Sequence, residues 1–190
     1  GVDNYIQYGS NIEAIISYLS TYQYLPYKRL QELLLNLFNL TLSQGTIDNI
    51  LNRMFRKALP IHEGIKQSVS RSNCIGSDET SVKVNGKKWW VWVWQSVNDT
   101  YISCSDNRSS KTIDSLFPEG FKNSMLCSDR YAAQLKTKSK GHQVCVAHLL
   151  RDLNFIEELD KTDWAKRFKQ LLKQALMLKM SQSEYSRDDP

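Results

Sequence analysis

The stretch Ile75-Gly76-Ser77-Asp78-Glu79-Thr80-Ser81-Val82-Lys83-Val84 decides the fold. Val82 and Val84 alternate with polar neighbours at the period of a strand. Asn85-Gly86 follows at once. Both positions of such a two-residue hairpin turn need positive φ, which Asn and Gly adopt readily. The partner strand reads Lys87-Lys88-Trp89-Trp90-Val91-Trp92-Val93-Trp94 and holds four of the five tryptophans. A run this apolar predicts a central strand covered on both faces. Successive side chains of a strand leave on opposite faces. Asp78 therefore shares a face with Gly76 and Thr80, while Glu79 shares the other with Ser77. The two acids cannot serve one site without a bulge, so one of them is the working residue. A carboxylate in the middle of the most apolar hairpin needs a chemical reason, because an unpaired buried charge is costly.

Downstream of this hairpin, residues 97–100 read as a turn and 101–104 as a third strand. A short helix over 109–117 is stopped by Pro118 and Gly120, and a fourth strand over 124–129 ends on Asp129. A helix over 131–136, a fifth strand over 142–147 and a long helix from His148 complete the pattern. Strands joined by short turns are antiparallel, and strands that return through helices are parallel. The order β-β-β-α-β-α-β-α therefore predicts an α/β (α+β) architecture, a mixed sheet with flanking helices of ribonuclease H-like type. A last amphipathic stripe runs through Phe168, Leu171, Leu172, Ala175 and Leu176. Residues 181–190 are polar and read as frayed.

Upstream, three stripes at helical spacing predict three helices: Ile12, Ile15, Ile16 and Leu19; Leu30, Leu33, Leu34 and Leu37 after Pro26; and Ile47, Ile50, Leu51 and Met54 with Ser43 as N-cap. Residues 61–69 read as a separate connecting helix. The short link over 39–42 makes the second and third helices a helix-turn-helix-like pair. The third would expose Asn49, Asn52, Arg53 and Arg56. Those side chains suit DNA contact, although a net charge of only +1 over residues 1–70 favours a plain helical bundle. The domains so read are 1–70, helical; 71–156, the sheet core; and 157–190, a helical C-terminal segment.

The 190 residues carry a net charge of +5, and the excess, +4, falls within residues 71–140. That is compatible with a nucleic-acid partner. Cys74, Cys104, Cys127 and Cys145 are widely spaced, which argues against a disulfide scaffold and for reduced, buried thiols of a cytosolic protein. No apolar run reaches membrane-spanning length, and the N-terminus lacks a signal-peptide pattern.

Asp78 and Asp129, 51 positions apart, fall on strands that are neighbours in a sheet of this type. Paired hard carboxylates suit Mg²⁺, which keeps its waters and accepts phosphate oxygens. His142-x-x-Cys145-x-x-His148 has donors suited to zinc, but three ligands across a strand-to-helix junction do not close a tetrahedral site. Lys136, Lys138 and Lys140 alternate with Thr137 and Ser139. They read as a solvated loop or as contacts to a phosphate backbone.

Several motifs in consistent order resemble the insertion-sequence sixty-six family of transposases. They are Ser77-Asp78-Glu79-Thr80, Val84-Asn85-Gly86-Lys87, Trp90-Val91-Trp92-Val93, Cys127-Ser128-Asp129-Arg130-Tyr131-Ala132-Ala133 and the run from His142 to Leu153. Upstream, the run from Tyr18 to Arg29 and Leu42-Ser43-Gln44-Gly45-Thr46 are similar to the family's helical region. The resemblance implies a DDE transposase acting on double-stranded DNA at transposon ends with Mg²⁺ or Mn²⁺, in the bacterial cytoplasm, as a homo-oligomer. It implies that Asp78 and Asp129 are the first and second catalytic acids and metal ligands, with His148 beside them. Arg53, Arg56, Lys136, Lys138, Lys140 and Arg151 are the expected DNA contacts. The family's glutamate motif does not occur before Pro190; Glu157, Glu158 and Glu184 lie in other surroundings. The chain is thus expected to be a fragment that does not cut DNA by itself. The alternatives are a non-catalytic DNA-binding or assembly remnant, and a nuclease of the same fold.

Overall fold

Three apolar stripes at helical spacing meet to bury one another at the N-terminal end of the chain. The structure, a computed structural model, describes residues 8–160 and 163–185. Helix α1 (Ser10–Ser17) runs into a π-helical turn at Tyr18–Tyr22, followed by α2 (Tyr27–Phe38) and α3 (Gln44–Ser70). Ile16, Leu30, Leu34, Leu42, Ile47 and Ile50 form their shared core. Pro26 stands at the N-cap of α2 in extended conformation, and Asn39, with φ of 52°, turns the chain left-handed at its end. Ser43 Oγ accepts the Thr46 N–H at 3.0 Å and so caps α3.

The separate helix expected over 61–69 does not exist; α3 continues through Pro60. A proline removes one backbone donor and strains one turn. Here the helix is anchored on both sides of it. Ile47 and Ile50 belong to the N-terminal core, and Ile65 and Val69 pack into a second one. The chain divides into two compact units, Gly1–Gly64 and Ile65–Pro190.

In the second unit, β1 (Cys74–Val84), β2 (Lys87–Gln95), β3 (Thr100–Ser105), β4 (Phe121–Ser128) and β5 (Ser139–Val144) form one sheet in the order β3-β2-β1-β4-β5. The β1–β2 and β2–β3 pairs are antiparallel, and β1–β4 and β4–β5 are parallel. This is the ribonuclease H-like order. The hairpin turn falls on Asn85 (φ 50°) and Gly86 (φ 75°), as its sequence requires. Helices α4 (Ser110–Leu116), α5 (Ala132–Leu135), α6 (Val146–Asp160) and α7 (Asp163–Tyr185) complete the unit.

The register places Ser77 opposite Trp94, Glu79 opposite Trp92 and Ile75 opposite Leu126. These positions share one face. There Ile75, Trp92, Trp94, Tyr101 and Leu126 pack with Val69, Ile113, Phe117, Phe121 and Ala133. The Trp92 and Trp94 rings stack at 5.7 Å between centroids, and Phe117 meets Trp94 edge-on at 5.0 Å. The expectation that β2 is covered on both faces is corrected. Trp92 and Trp94 are buried, whereas Val91 and Val93 on the other face are only half-buried. The buried-thiol expectation fails for the same reason. Cys104 pairs with Val91 on that second face and is exposed, as is Cys74. All four cysteines are free.

Several boundaries also move. The fourth strand is Phe121–Ser128 rather than 124–129, so Asp129 lies just past its end. The fifth strand is Ser139–Val144 rather than 142–147, because pairing with β4 extends from Ser139 opposite Phe121 to Val144 opposite Ser128. Cys145 N–H closes the ladder on the Ser128 carbonyl at 2.7 Å, and the Cys145 carbonyl accepts Leu149 N–H at 3.1 Å. The next helix thus starts at Val146, and His148 sits in its first turn. At the other end α7 continues to Tyr185 instead of fraying from Ser181; residues 186–190 lie outside the described residues. No helix among the described residues is long and apolar enough to cross a membrane.

Two tests follow from these contacts. Glu13 is buried in the first unit, and Arg53 reaches its Oε1 through two nitrogens, at 3.1 and 2.6 Å. The Arg53 hydrogen bond holds the Glu13 carboxyl below the ordinary range; burial opposes this, and Lys57 at 3.3 Å adds to it. A lowered folded value contributes stability above the unfolded pKa, and that contribution is lost as pH falls through the folded one. Thermal melts followed by circular dichroism between about pH 3 and 7 should show the first unit weakening in acid. Glu13→Gln should lower the midpoint at neutral pH and flatten the profile. A variant with the wild-type slope would remove Glu13 from the account. Gly120 (φ 63°) is the second case, because a Cβ there would lie 2.5 Å from the Lys138 carbonyl oxygen. Gly86 has the same backbone sign but open space around it. Gly86→Ala should cost about 1–2 kcal/mol in urea unfolding, the left-handed penalty, and Gly120→Ala should cost clearly more.

Candidate active site

The parallel pairing of β1 and β4 ends at Gly76 opposite Cys127. Asp78 and Asp129 each stand two residues further on. From there β4 stops at Ser128, while β1 continues against β2 with Asp78 opposite Val93. Both acids therefore lie where the sheet loses a strand and opens, the usual place for a ligand in a sheet of parallel strands. The Asp78 carboxylate is 60% exposed; its Oδ1 accepts the Glu79 N–H at 2.9 Å, and its Oδ2 lies 4.0 Å from Nε2 of His148. Asp129 is more enclosed, at 24%. Its Oδ1 accepts the Tyr131 N–H at 2.8 Å, and its Oδ2 stands 3.9 Å from the Arg108 guanidinium. Asp129 and His148 line one cavity of about 320 Å³ with Arg108, Arg130, Tyr131 and Asp152. Arg130 pairs with Asp152 across its wall.

Glu79 occupies the opposite face, on the aromatic core, as strand parity requires. Its side chain is fully buried yet charged, and it is satisfied by Arg108, whose Nε donates at 2.6 Å, and by the amide of Gln134. The Arg108 guanidinium lies 3.8 Å from the centre of the Tyr131 ring and 4.8 Å from that of Trp90. A compact loop presents it. Asn107 Oδ1 accepts the Ser109 N–H at 3.1 Å, the Ser109 hydroxyl at 2.7 Å and the Thr112 hydroxyl at 2.7 Å, and the Tyr131 hydroxyl donates to the Arg108 carbonyl. Sequence reasoning missed Arg108, Gln134 and the Arg130–Asp152 pair. The available signal was Glu79 itself: a carboxylate on the core face of a strand demands a cation, and Arg108 lies beside the turn-forming Asn107.

Behind Asp129, the Cys127 thiol is pushed up by burial and by the neighbouring Cys145 and Cys74 thiols. Burial also raises Cys145, but hydrogen bonds from the backbone and ring of His148 and from the Ala147 backbone outweigh it and leave the thiol below its ordinary value. His142 turns away to the Thr137 carbonyl at 3.1 Å. Among the described residues no group of three or more His, Cys, Asp or Glu gathers as a metal site.

The other sequence-predicted positions are dispersed. Arg53 is tied to Glu13 within the first unit, and Arg56 is exposed on the same helix. Lys136, Lys138 and Lys140 are all exposed, but Lys140 lies in β5 rather than in a loop. Arg151 is exposed on α6.

Carboxylate oxygens are the donors a magnesium-type cation takes, and it retains water where protein ligands are few. Asp78 and Asp129 supply donors of that kind, although of the two only Asp129 lines the cavity. They do not form a closed protein cage.

The chain matches the model of the Transposase IS66 family over residues 5–188. No curated protein matches it. Among solved structures it is similar to the HTLV-2 integrase catalytic core domain in complex with magnesium, in its trimeric form, with 16% identity, 52% of this chain and 82% of that chain covered, and a TM-score of 0.32. A second similar structure is the simian T-cell lymphotropic virus intasome in complex with a PP2A regulatory subunit, with 12% identity, 52% and 47% coverage, and a TM-score of 0.32. The family match spans nearly the whole chain, and on it the conclusion stands: the chain belongs to the Transposase IS66 family.

Proposed function

We propose that this chain carries the first two acids of a DDE transposase site, with Asp78 and Asp129 holding Mg²⁺ or Mn²⁺ between them. The observation that carries the reading is the matched placement of these aspartates, each two residues past the Gly76–Cys127 pair on adjacent parallel strands. Transposases of this kind depend on a divalent metal. A bound divalent cation activates an attacking oxygen and stabilises charge at a phosphodiester. The chain's own groups orient the substrate. Tyr131 N–H fixes the Asp129 carboxylate, and the Arg108 guanidinium stands 3.9 Å from its other oxygen. His148, on the cavity wall and 4.0 Å from Asp78, contacts a phosphate oxygen.

DNA is the partner class that family membership brings. We assign transposon ends as the substrate, the helix-turn-helix-like region within residues 1–70 as a DNA-contacting part, residues 71–156 as the catalytic core, 157–190 as an appended helical segment and the cytoplasm as the compartment. Homo-oligomeric assembly on the paired ends completes the reading.

Mn²⁺ titration of the purified chain, read by electron paramagnetic resonance, should give a weak site that Asp78→Ala or Asp129→Ala abolishes. Binding unaffected by either change would refute the assignment. Cleavage of supercoiled DNA by this chain is not expected. Robust cleavage lost in Asp78→Ala would show that another acid completes the site, with Glu157 and Glu158 on α6 the first to replace. Duplex binding by fluorescence anisotropy should depend steeply on salt, with a log–log slope of about −2 to −4 for a few phosphate contacts. Arg56→Ala or Lys138→Ala should each flatten it by about one unit, whereas tight binding indifferent to salt would contradict phosphate contact.

A further inference from the structure

Asp129 is flanked by a cation that does not bind it directly. Arg108 stands 3.9 Å from Asp129 Oδ2, beyond hydrogen-bond distance, while it donates to the fully buried Glu79 at 2.6 Å. The division is physically reasoned. Glu79 has no water to turn to, so it holds the guanidinium strongly. Asp129 is partly hydrated and competes less well. The guanidinium is also confined by the Tyr131 and Trp90 rings. Tyr131 in turn links back to both partners, through its N–H to Asp129 Oδ1 and through its hydroxyl to the Arg108 carbonyl. Glu79, Arg108, Tyr131 and Asp129 thus form one connected unit in which the only acid that is not fully buried is the one that lines the cavity.

We propose that Glu79 is a positioning residue for Asp129. Glu79 retains the Arg108 guanidinium at a distance, so the Tyr131 N–H orients the Asp129 carboxylate while its outer oxygen stays open to a divalent cation. Arg108 is then a caged neighbour and not a ligand of DNA. The inference rests on the assignment of Asp129 as a metal-binding acid. It also makes a statement about the metal-free protein that holds without that assignment: the orientation of Asp129 depends on Glu79.

The test uses the full chain and the variants Glu79→Gln and Glu79→Gln/Arg108→Met. In Glu79→Gln the guanidinium loses its buried counter-charge and should close on Asp129, the remaining carboxylate beside it. Two readings follow. Without metal, the Tyr131 backbone amide, which reports the Asp129 hydrogen bond, should shift in ¹⁵N-resolved spectra of Glu79→Gln. It should move back towards its wild-type position in the double variant. With Mn²⁺, the single variant should bind about tenfold more weakly, whereas the double variant, with no cation left to compete, should bind within about threefold of wild type or tighter. Replacing a buried ion pair by neutral groups of similar volume usually preserves folding, so the double variant keeps the test readable if the single one unfolds; Mn²⁺ binding lost in the folded double variant overturns the proposal. An unmoved Tyr131 amide in folded Glu79→Gln overturns it whatever the metal does. Equal weakening in single and double variants also overturns it, because general structural damage predicts that result and competition by Arg108 does not. If the wild type itself binds no Mn²⁺, the metal assignment fails while the amide measurement still decides the positioning claim.

Discussion

A charge removed from water must meet an opposite charge, and Glu79 is where this chain meets that demand. The residue lies on the face of β1 that closes against Trp92 and the aromatic core. Its carboxylate draws Arg108 in from the link between β3 and α4, and Gln134 in from α5. Those two contacts fasten both helix-bearing connections to the first strand. Breaking such a pair on one side is expected to cost about 3–5 kcal/mol, a large fraction of the stability of an ordinary domain. The rim of the cavity, Arg108 and Tyr131 included, is therefore built outward from a buried acid that takes no part in the chemistry proposed for its neighbour.

The aromatic core adds a second constraint, on register. Because side chains alternate strictly, slipping β1 by one residue would exchange Asp78 with Glu79 and Ser77. Trp92 and Trp94, both buried, oppose that slip by opposing Glu79 and Ser77. The pairing of β4 beside β1 then carries Asp129 to the same level as Asp78. The position of each acid is thus a consequence of packing on the far face of the sheet. The open face keeps Cys74, Thr80, Ile102 and Cys104 in contact with solvent, so the site sits on a sheet with one dry side and one wet one.

Much of this was legible in the residues. The Asn85-Gly86 turn, the alternation through Asp78 and Glu79, the mixed strand order and the cap at Ser43 follow from short-range rules: φ preference, side-chain period, connection length and side-chain capping. The motifs that resemble the transposase family named the two aspartates, and family membership follows from the match over residues 5–188. Boundaries set by pairing were less legible. Ser139 and Lys140 have no strand-like character of their own and are strand because β4 lies alongside. Pro60 has a strong local preference against helix interiors, and α3 overrides it because packing holds it on both sides.

By itself the sequence determined the hairpin and that Asp78 and Glu79 lie on opposite faces of one strand, because each depends on neighbours within a few residues. Only the tertiary structure decided how Glu79 is neutralised, that Arg108 stands between Glu79 and Asp129, that β2 is buried on one face alone, and that Arg53 is held by Glu13. Glu79 and Arg108 are 29 positions apart, and Glu13 and Arg53 are 40. No periodicity in the chain links such positions. What selects the partner of a buried charge is the set of cations that the completed packing brings within reach, and that set exists only once the chain has folded.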